Sequence, residues 1–215
     1  MLMLEFFSGS GVMSKSFKKD GWDTVTIDIN PDFNPDIADD VYNYLSVDVL
    51  KDKIGAIPDV IWASPDCTTY SVASISYHRK KAWNNELMPI TDYARYCDEH
   101  NRELIRFLKS FNGLYFIENP IGAMRKMTFM HGIPRYSVTF CQYGDFRQKP
   151  TDIWTNHPNP QFKPCCKRGD PCHETAKRGT KCGSQRLKNA YERAIIPTAL
   201  CEHIVKICNE YYNKG

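Results

Sequence analysis

The sequence predicts an α/β fold, a doubly wound and mostly parallel sheet with a small Cys/His-rich insert. Short, almost continuous apolar runs ending in Gly, Asn or Pro turns alternate with segments of helical spacing. The chain has 215 residues, 42% hydrophobic and 13% aromatic, enough for one packed core. Its composition changes character at about Asn156, where large aliphatics give way to Pro, Gly, Lys, Arg, Cys and His.

Met1–Phe7 is an apolar run of the kind a buried parallel strand requires. Ser8-Gly9-Ser10-Gly11 turns the chain, and Val12–Lys19 reads as a short helix stopped at Asp20-Gly21. Trp22–Ile29 is a second strand, closed by Asn30-Pro31. Tyr44–Leu50 reads as a short strand through Val47-Asp48-Val49. Pro58–Ala63 is another strand, ended by Ser64-Pro65. Pro89–Phe111 places Tyr93, Tyr96, Leu104, Ile105 and Leu108 at helical spacing, with Thr91 as N-cap. Leu114–Ile117 is a buried strand ended at Asn119-Pro120, and Ser137–Tyr143 alternates as an edge strand does. Ala190–Tyr212 recovers helical spacing, with Pro197 near its start. The expected organisation is a core over 1–156, a basic insert over 157–188, and a C-terminal helix over 189–215 that packs back on the core.

No run approaches the roughly 18 apolar residues of a membrane span, and Met1–Phe7 reads as a strand rather than a secretion signal. The nine cysteines are odd in number and mostly scattered. That argues for a reducing compartment rather than a disulfide framework. The net charge of +3 permits a nucleic-acid partner. His78-Arg79-Lys80-Lys81 and Lys163–Lys188 are basic, whereas Asp28–Asp52 is acidic. This suits either a polyanion on one face or merely solvated loops.

A strand, a glycine turn and a helix make a Rossmann-like arrangement that holds a ligand at the carboxyl end of the sheet. Asp28 ends the next strand, where a carboxylate can accept from ribose hydroxyls. Asp48 is expected at the end of the following strand, within reach of an adenine amino group. Glu5 precedes the glycines and could accept from a ligand ammonium. Acids at these positions suit a cationic, ribose-bearing ligand without phosphate; each alone is equally a solvated strand end. Cys67 lies in a polar turn just past an apolar strand, and Glu118-Asn119 end another strand on the same edge. A carboxyl there needs a partner or a raised pKa.

Leu4–Gly11, Ser64-Pro65-Asp66-Cys67-Thr68-Thr69-Tyr70-Ser71, Phe116–Pro120, Gln142–Thr151 and Arg193–Leu200 occur in that order. Together they resemble the DNA cytosine-5 methyltransferases, particularly short phage-type members, over nearly the whole chain. The resemblance implies a methyltransferase fold using S-adenosyl-L-methionine. Its contacts would come from Glu5, Phe6, Ser8, Gly9, Ser10, Gly11, Asp28, Ile29, Asp48, Val49 and Pro65. It further implies base flipping in double-stranded DNA, Cys67 as nucleophile at cytosine carbon 6, and Glu118 on the ring. Asn119 would fix the loop, and Arg147 and Lys149 would hold the loop, the base or the backbone. A monomer in the cytoplasm of a bacterial host, masking phage DNA from restriction, goes with that reading. The same fold could act on a free nucleotide, an RNA base or a modified pyrimidine, or survive as a silent DNA-binding module.

The family usually has Pro-Pro-Cys where this chain has Pro65-Asp66-Cys67. An adjacent acid should raise the thiol pKa unless a cation compensates; Arg147, Lys149 or the His78–Lys81 run are the candidates. Full-length members also carry arginines on both sides of the spacer that here reads Arg147-Gln148-Lys149. The insert groups Cys165-Cys166, Cys172-His173 and Cys182, which fits either one structural zinc ion, held by Cys165, Cys172, His173 and Cys182, or a solvated basic loop. In family terms the insert sits at the target-recognition position. Its lysines and arginines would contact phosphates, and so short a segment should read a short or lax sequence.

Overall fold

A computed structural model describes residues 1–83, 86–167, 169–174, 187 and 189–213. The elements in chain order are β1 (Leu2–Phe6), α1 (Val12–Lys19), β2 (Asp23–Asp28), β3 (Ile37–Ala38), α2 (Val47–Ile54), β4 (Val60–Ala63), α3 (Ile75–His78), β5 (Arg79–Lys81), β6 (Leu87–Pro89), α4 (Asp92–Ser110), β7 (Leu114–Pro120), β8 (Arg135–Thr139), β9 (Pro150–Thr155), α5 (Ala190–Ala194) and α6 (Thr198–Tyr212). The main sheet has seven strands in the order β3-β2-β1-β4-β7-β9-β8. Pairing is parallel from β3 to β7 and antiparallel across β9 and β8. The expected doubly wound sheet is therefore present. Among the described residues no helix is long and apolar enough to cross a membrane.

Alternation along the strands divides the core in two. Leu4, Phe6, Ile61 and Ile117 face one side with Leu104 and Leu108 of α4. Met3, Val60, Trp62 and Phe116 face the other with Met13 and Phe17 of α1 and Leu200, Ile204 and Ile207 of α6. The C-terminal helix thus returns to the core beside the first helix. Tyr212 closes the layer by donating its hydroxyl to the Asp59 carbonyl (2.6 Å).

Besides β3, α3, β5, β6 and β9, which the sequence does not predict, three expected elements take a different form. Val47-Asp48-Val49 is not a strand but the first turn of α2, because Val47, Leu50 and Ile54 also recur at helical spacing and pack on the core. Ser137–Tyr143 is a strand only to Thr139 and then a 3-10 turn over Phe140–Tyr143. The single expected C-terminal helix is two, α5 and α6, since Pro197 cannot donate a backbone hydrogen bond.

Candidate active site

The strand order reverses between β1 and β4, and open α/β sheets hold ligands at the carboxyl ends of such a pair. The chain leaves β1 through Phe7, Gly9 and Gly11 at φ of 56°, 48° and 62°, a left-handed path that glycine takes at little cost. The Gly9 and Asn30 amides donate to the two oxygens of Asp28 (2.8 and 2.9 Å). Asp28 therefore fastens its own turn first, and each oxygen keeps a lone pair for a ligand. Ile29 beside it is 68% exposed. Ser8 is buried and Ser10 half-buried. A cleft of about 380 Å³ opens along Gly9, Ser10 and Lys15, walled by Phe33 and Tyr191, whose rings stack at 5.5 Å.

Two expected ligand contacts are displaced. The Phe6 side chain is in the core, since alternation sends it inward with Leu4; the aromatic at the sheet edge is Phe7. Glu5 accepts from the Ser14 amide (2.8 Å) and from the Ser14 hydroxyl. It braces α1 from within, and burial pushes its carboxyl up to about 7, so it is not aimed at a ligand ammonium. Asp48 and Val49 lie in the first turn of α2. This helix precedes β4 in the chain. Asp48 is exposed there.

Cys67 lies in the turn after β4, where its carbonyl accepts from the Tyr70 and Ser71 amides (3.0 and 2.8 Å). The thiol is half-buried. Burial pushes it up to about 11, with the Asp66 and Glu118 carboxyls adding and Lys149 opposing. Lys149 is thus the compensating cation; burial in turn lowers its own pKa against the pull of Glu118. Asp66 is engaged by the Thr68 amide and hydroxyl (2.9 and 2.7 Å) and by the Tyr93 hydroxyl (2.5 Å). Glu118 is buried on β7, and burial raises its pKa, opposed by Lys149 and a hydrogen bond with Ser64. Among the described residues its Oε1 has no hydrogen-bond partner, nor does Oδ1 of Asn119. Asn119 Nδ2 donates to the Pro65 carbonyl (2.9 Å), tying β7 to the nucleophile turn.

Arg147 is elsewhere engaged. Its guanidinium grips Asp145 and donates to the carbonyls of Glu192, Arg193 and Ile195, each at 3.1 Å. It braces the C-terminal segment and has no free donor to offer a base or the nucleophile loop. Lys149, at φ 24°, donates to the Arg193 carbonyl (2.8 Å).

A buried network beneath the nucleophile turn escaped sequence reasoning. Arg79, read as part of a basic run, is 4% exposed. It donates to the Thr69 carbonyl (2.7 Å) and forks onto Asp98 (2.9 and 2.6 Å). Asp98 also accepts from the Tyr70 hydroxyl (2.7 Å), which accepts from Asn101 (3.0 Å). The available signal was Asp98 and Asn101, polar residues three apart on the apolar stripe of α4. Gly122 completes the support: a Cβ there would stand 2.3 Å from the Tyr70 carbonyl, so only glycine lets the end of β7 approach the turn.

Of the expected zinc ligands, Cys172 and His173 converge, but with Cys166 and Cys141 rather than Cys165. The four ligand atoms lie within 4.8 Å of one another. Cys165 turns away and donates to the Ser137 carbonyl (3.0 Å), because adjacent residues on an extended chain face opposite ways. Cys182 lies outside the described residues.

No family model matches the chain. It is 30% identical over 169 residues to a probable DNA (cytosine-5)-methyltransferase of Frog virus 3, covering 73% of this chain and 71% of that protein. The chain belongs to the DNA cytosine-5 methyltransferase family. A solved Entamoeba histolytica methyltransferase, EhMeth, matches this family member at a TM-score of 0.52 and 15% identity. The match covers 78% of this chain and 57% of that one, and shows the methyltransferase fold. The chain thus spans little more than half the length of that solved relative.

Proposed function

We propose that this methyltransferase transfers a methyl group from S-adenosyl-L-methionine to carbon 5 of cytosine in double-stranded DNA, through a covalent Cys67 adduct at carbon 6. The observation that carries the reading is a half-buried thiol within electrostatic reach of a buried carboxyl, Glu118, one oxygen of which has no partner among the described residues. A buried polar atom without a partner is costly, and a flipped base would supply one. The name of the viral relative supports the substrate class.

The residues of the cleft fit the cofactor. Asp28 keeps acceptor capacity for ribose hydroxyls, Ile29 offers an apolar face, and Lys15 brings a cation to the cleft for a carboxylate. Bound S-adenosyl-L-methionine supplies the electrophilic methyl group that carbon 5 takes.

The rest falls to the chain. Cys67 gives up its proton to solvent, with Lys149 favouring the thiolate, and its sulfur bonds to carbon 6. Glu118, held toward its neutral form by burial, gives its proton to N3 as the ring electrons shift toward carbon 5. After methylation a solvent base takes the carbon 5 proton. The carbon 5–carbon 6 double bond re-forms, the sulfur leaves as thiolate, and the N3 proton returns to Glu118. Asn119 holds Pro65 and hence the turn. The β5–β6 hairpin follows, with Lys80 and Lys81 exposed and Trp83 96% exposed, on the DNA side. Residues 157–188 form the DNA-contacting insert between the core over 1–156 and the C-terminal 189–215, with Lys163 and Lys167 toward phosphates.

The test is label transfer from methyl-labelled S-adenosyl-L-methionine to unmethylated duplex DNA, alongside trapping on 5-fluorocytosine DNA. Label recovered as 5-methylcytosine, with a stable adduct that needs Cys67, is the expected result. Cofactor binding without transfer to DNA, or an adduct formed only on RNA or a free nucleotide, would overturn it.

A further inference from the structure

We infer that Cys141, Cys166, Cys172 and His173 hold one zinc ion that staples the insert to the edge of the sheet. The inference rests on this cluster alone and is independent of the proposed reaction. The Cys141 and Cys166 sulfurs are 3.1 Å apart, and those of Cys172 and Cys141 are 3.6 Å apart. His173 Nδ1 lies 3.6 Å from the Cys166 sulfur and 3.5 Å from that of Cys172. With Zn–S of about 2.3 Å and Zn–N of about 2.0 Å, a tetrahedron has edges of roughly 3.8 Å between sulfurs and 3.5 Å from sulfur to nitrogen. The cluster is close to that size. The sulfur separations far exceed the roughly 2.05 Å of a disulfide.

The donor set selects the metal. Three thiolates and an imidazole are soft, and four protein ligands close a tetrahedral zinc site with no position left for substrate. Binding releases three thiol protons to solvent and leaves a complex of net charge −1. The surroundings suit that charge. Gln148 and Gln142 direct side-chain amides at the Cys166 and Cys172 sulfurs (3.3 and 3.5 Å), and outer donors of this kind tune and orient metal ligands.

The chain path gives the ion its purpose. Cys141 sits in the 3-10 turn after β8, while the other ligands come from the insert. The insert has almost no large aliphatics with which to hold itself down. Backbone ties already align the two segments: Cys166 N–H to Thr139 Oγ1 (3.0 Å) and Glu174 N–H to the Phe146 carbonyl (2.8 Å). A metal bridging them fixes the insert beside the loop that carries Lys149.

Metal analysis of the full chain, purified from zinc-supplemented cells without chelator, tests this. One zinc per chain is expected, retained in Cys165→Ser and Cys182→Ser and lost in Cys166→Ser and Cys172→Ser. Cys141 is buried and its variant can fail to fold, so the insert variants decide. Replacement by cobalt should give the intense visible absorption of tetrahedral cobalt–thiolate coordination. Chelation should speed tryptic cleavage after Lys167 while leaving far-ultraviolet circular dichroism intact. A wild-type protein without zinc that gives no cobalt spectrum would overturn the inference. So would zinc lost in Cys165→Ser but kept in Cys166→Ser, or a Cys141–Cys166 disulfide in freshly purified protein.

Discussion

Two buried acids sit one register step apart across β7 and β9, and they are treated oppositely. Asp152, paired opposite Asn119, takes a two-pronged grip from Arg125 (2.8 and 2.6 Å) and the Ser137 hydroxyl (2.7 Å). Glu118, one residue before Asn119, keeps an oxygen with no partner among the described residues. The fold supplies a guanidinium to one of the two buried acids and leaves an oxygen of the other open, which is what the proposed role of Glu118 requires.

The contrast can be broken by substitution. Cys67→Ala should abolish transfer, by about 10⁶-fold if the nucleophile acts as others do, with melting unchanged; residual turnover near wild type would separate the Glu118 corner from the chemistry. In the parent, the rate should climb as pH rises toward the thiol value of about 11. Loss of the proton that burial holds on Glu118 opposes that rise, and Glu118→Gln, which cannot lose it, should steepen the rise. Arg125→Ala leaves Asp152 with the Ser137 hydroxyl and the more distant Arg135 (3.9 Å) and should cost about 3 kcal/mol in urea denaturation, with cofactor binding at low temperature retained.

Glu118→Gln should do the reverse. Transfer falls on the order of 10²–10³-fold while the denaturation midpoint hardly moves. A midpoint shift as large as that of Arg125→Ala would make Glu118 a structural acid like Asp152. Glu5→Gln is the smallest effect. The folded carboxyl sits near 7 against an unfolded 4.5, so the folded state binds more protons between those values. Stability is fully present below pH 4.5 and is lost as pH rises to 7, by about 3 kcal/mol. Urea midpoints from pH 5 to 8 should show that slope in the parent and a shallower one in the variant, where of Glu5 and Glu118 only Glu118 still contributes.

The sequence made the centre of the sheet readable because β1, β4 and β7 are buried almost along their whole length and run nearly apolar, while β2 is buried only toward its end. Strand β9 is not legible because Thr151 and Asp152 look like loop residues; Asp152 serves the Arg125 pair, and the Thr151 hydroxyl donates to the Lys149 carbonyl (3.2 Å). Helix α2 was missed because Val-Asp-Val is as good an alternation as it is a helical turn. Cys67 and Glu118 were legible through their ordered motifs. Arg79 was not, because charge in a sequence reads as surface until Asp98 is brought to it by α4. Cys141 was overlooked for a similar reason: its partners begin 25 residues later, and spacing shows only neighbours.

Helix α5 is five residues long and touches two places at once. Tyr191 walls the cleft beside Gly9, stacked on Phe33, while the carbonyl of Arg193 holds the ammonium of Lys149. One short helix therefore supports both the wall of the cleft and the ammonium that faces the Cys67 turn.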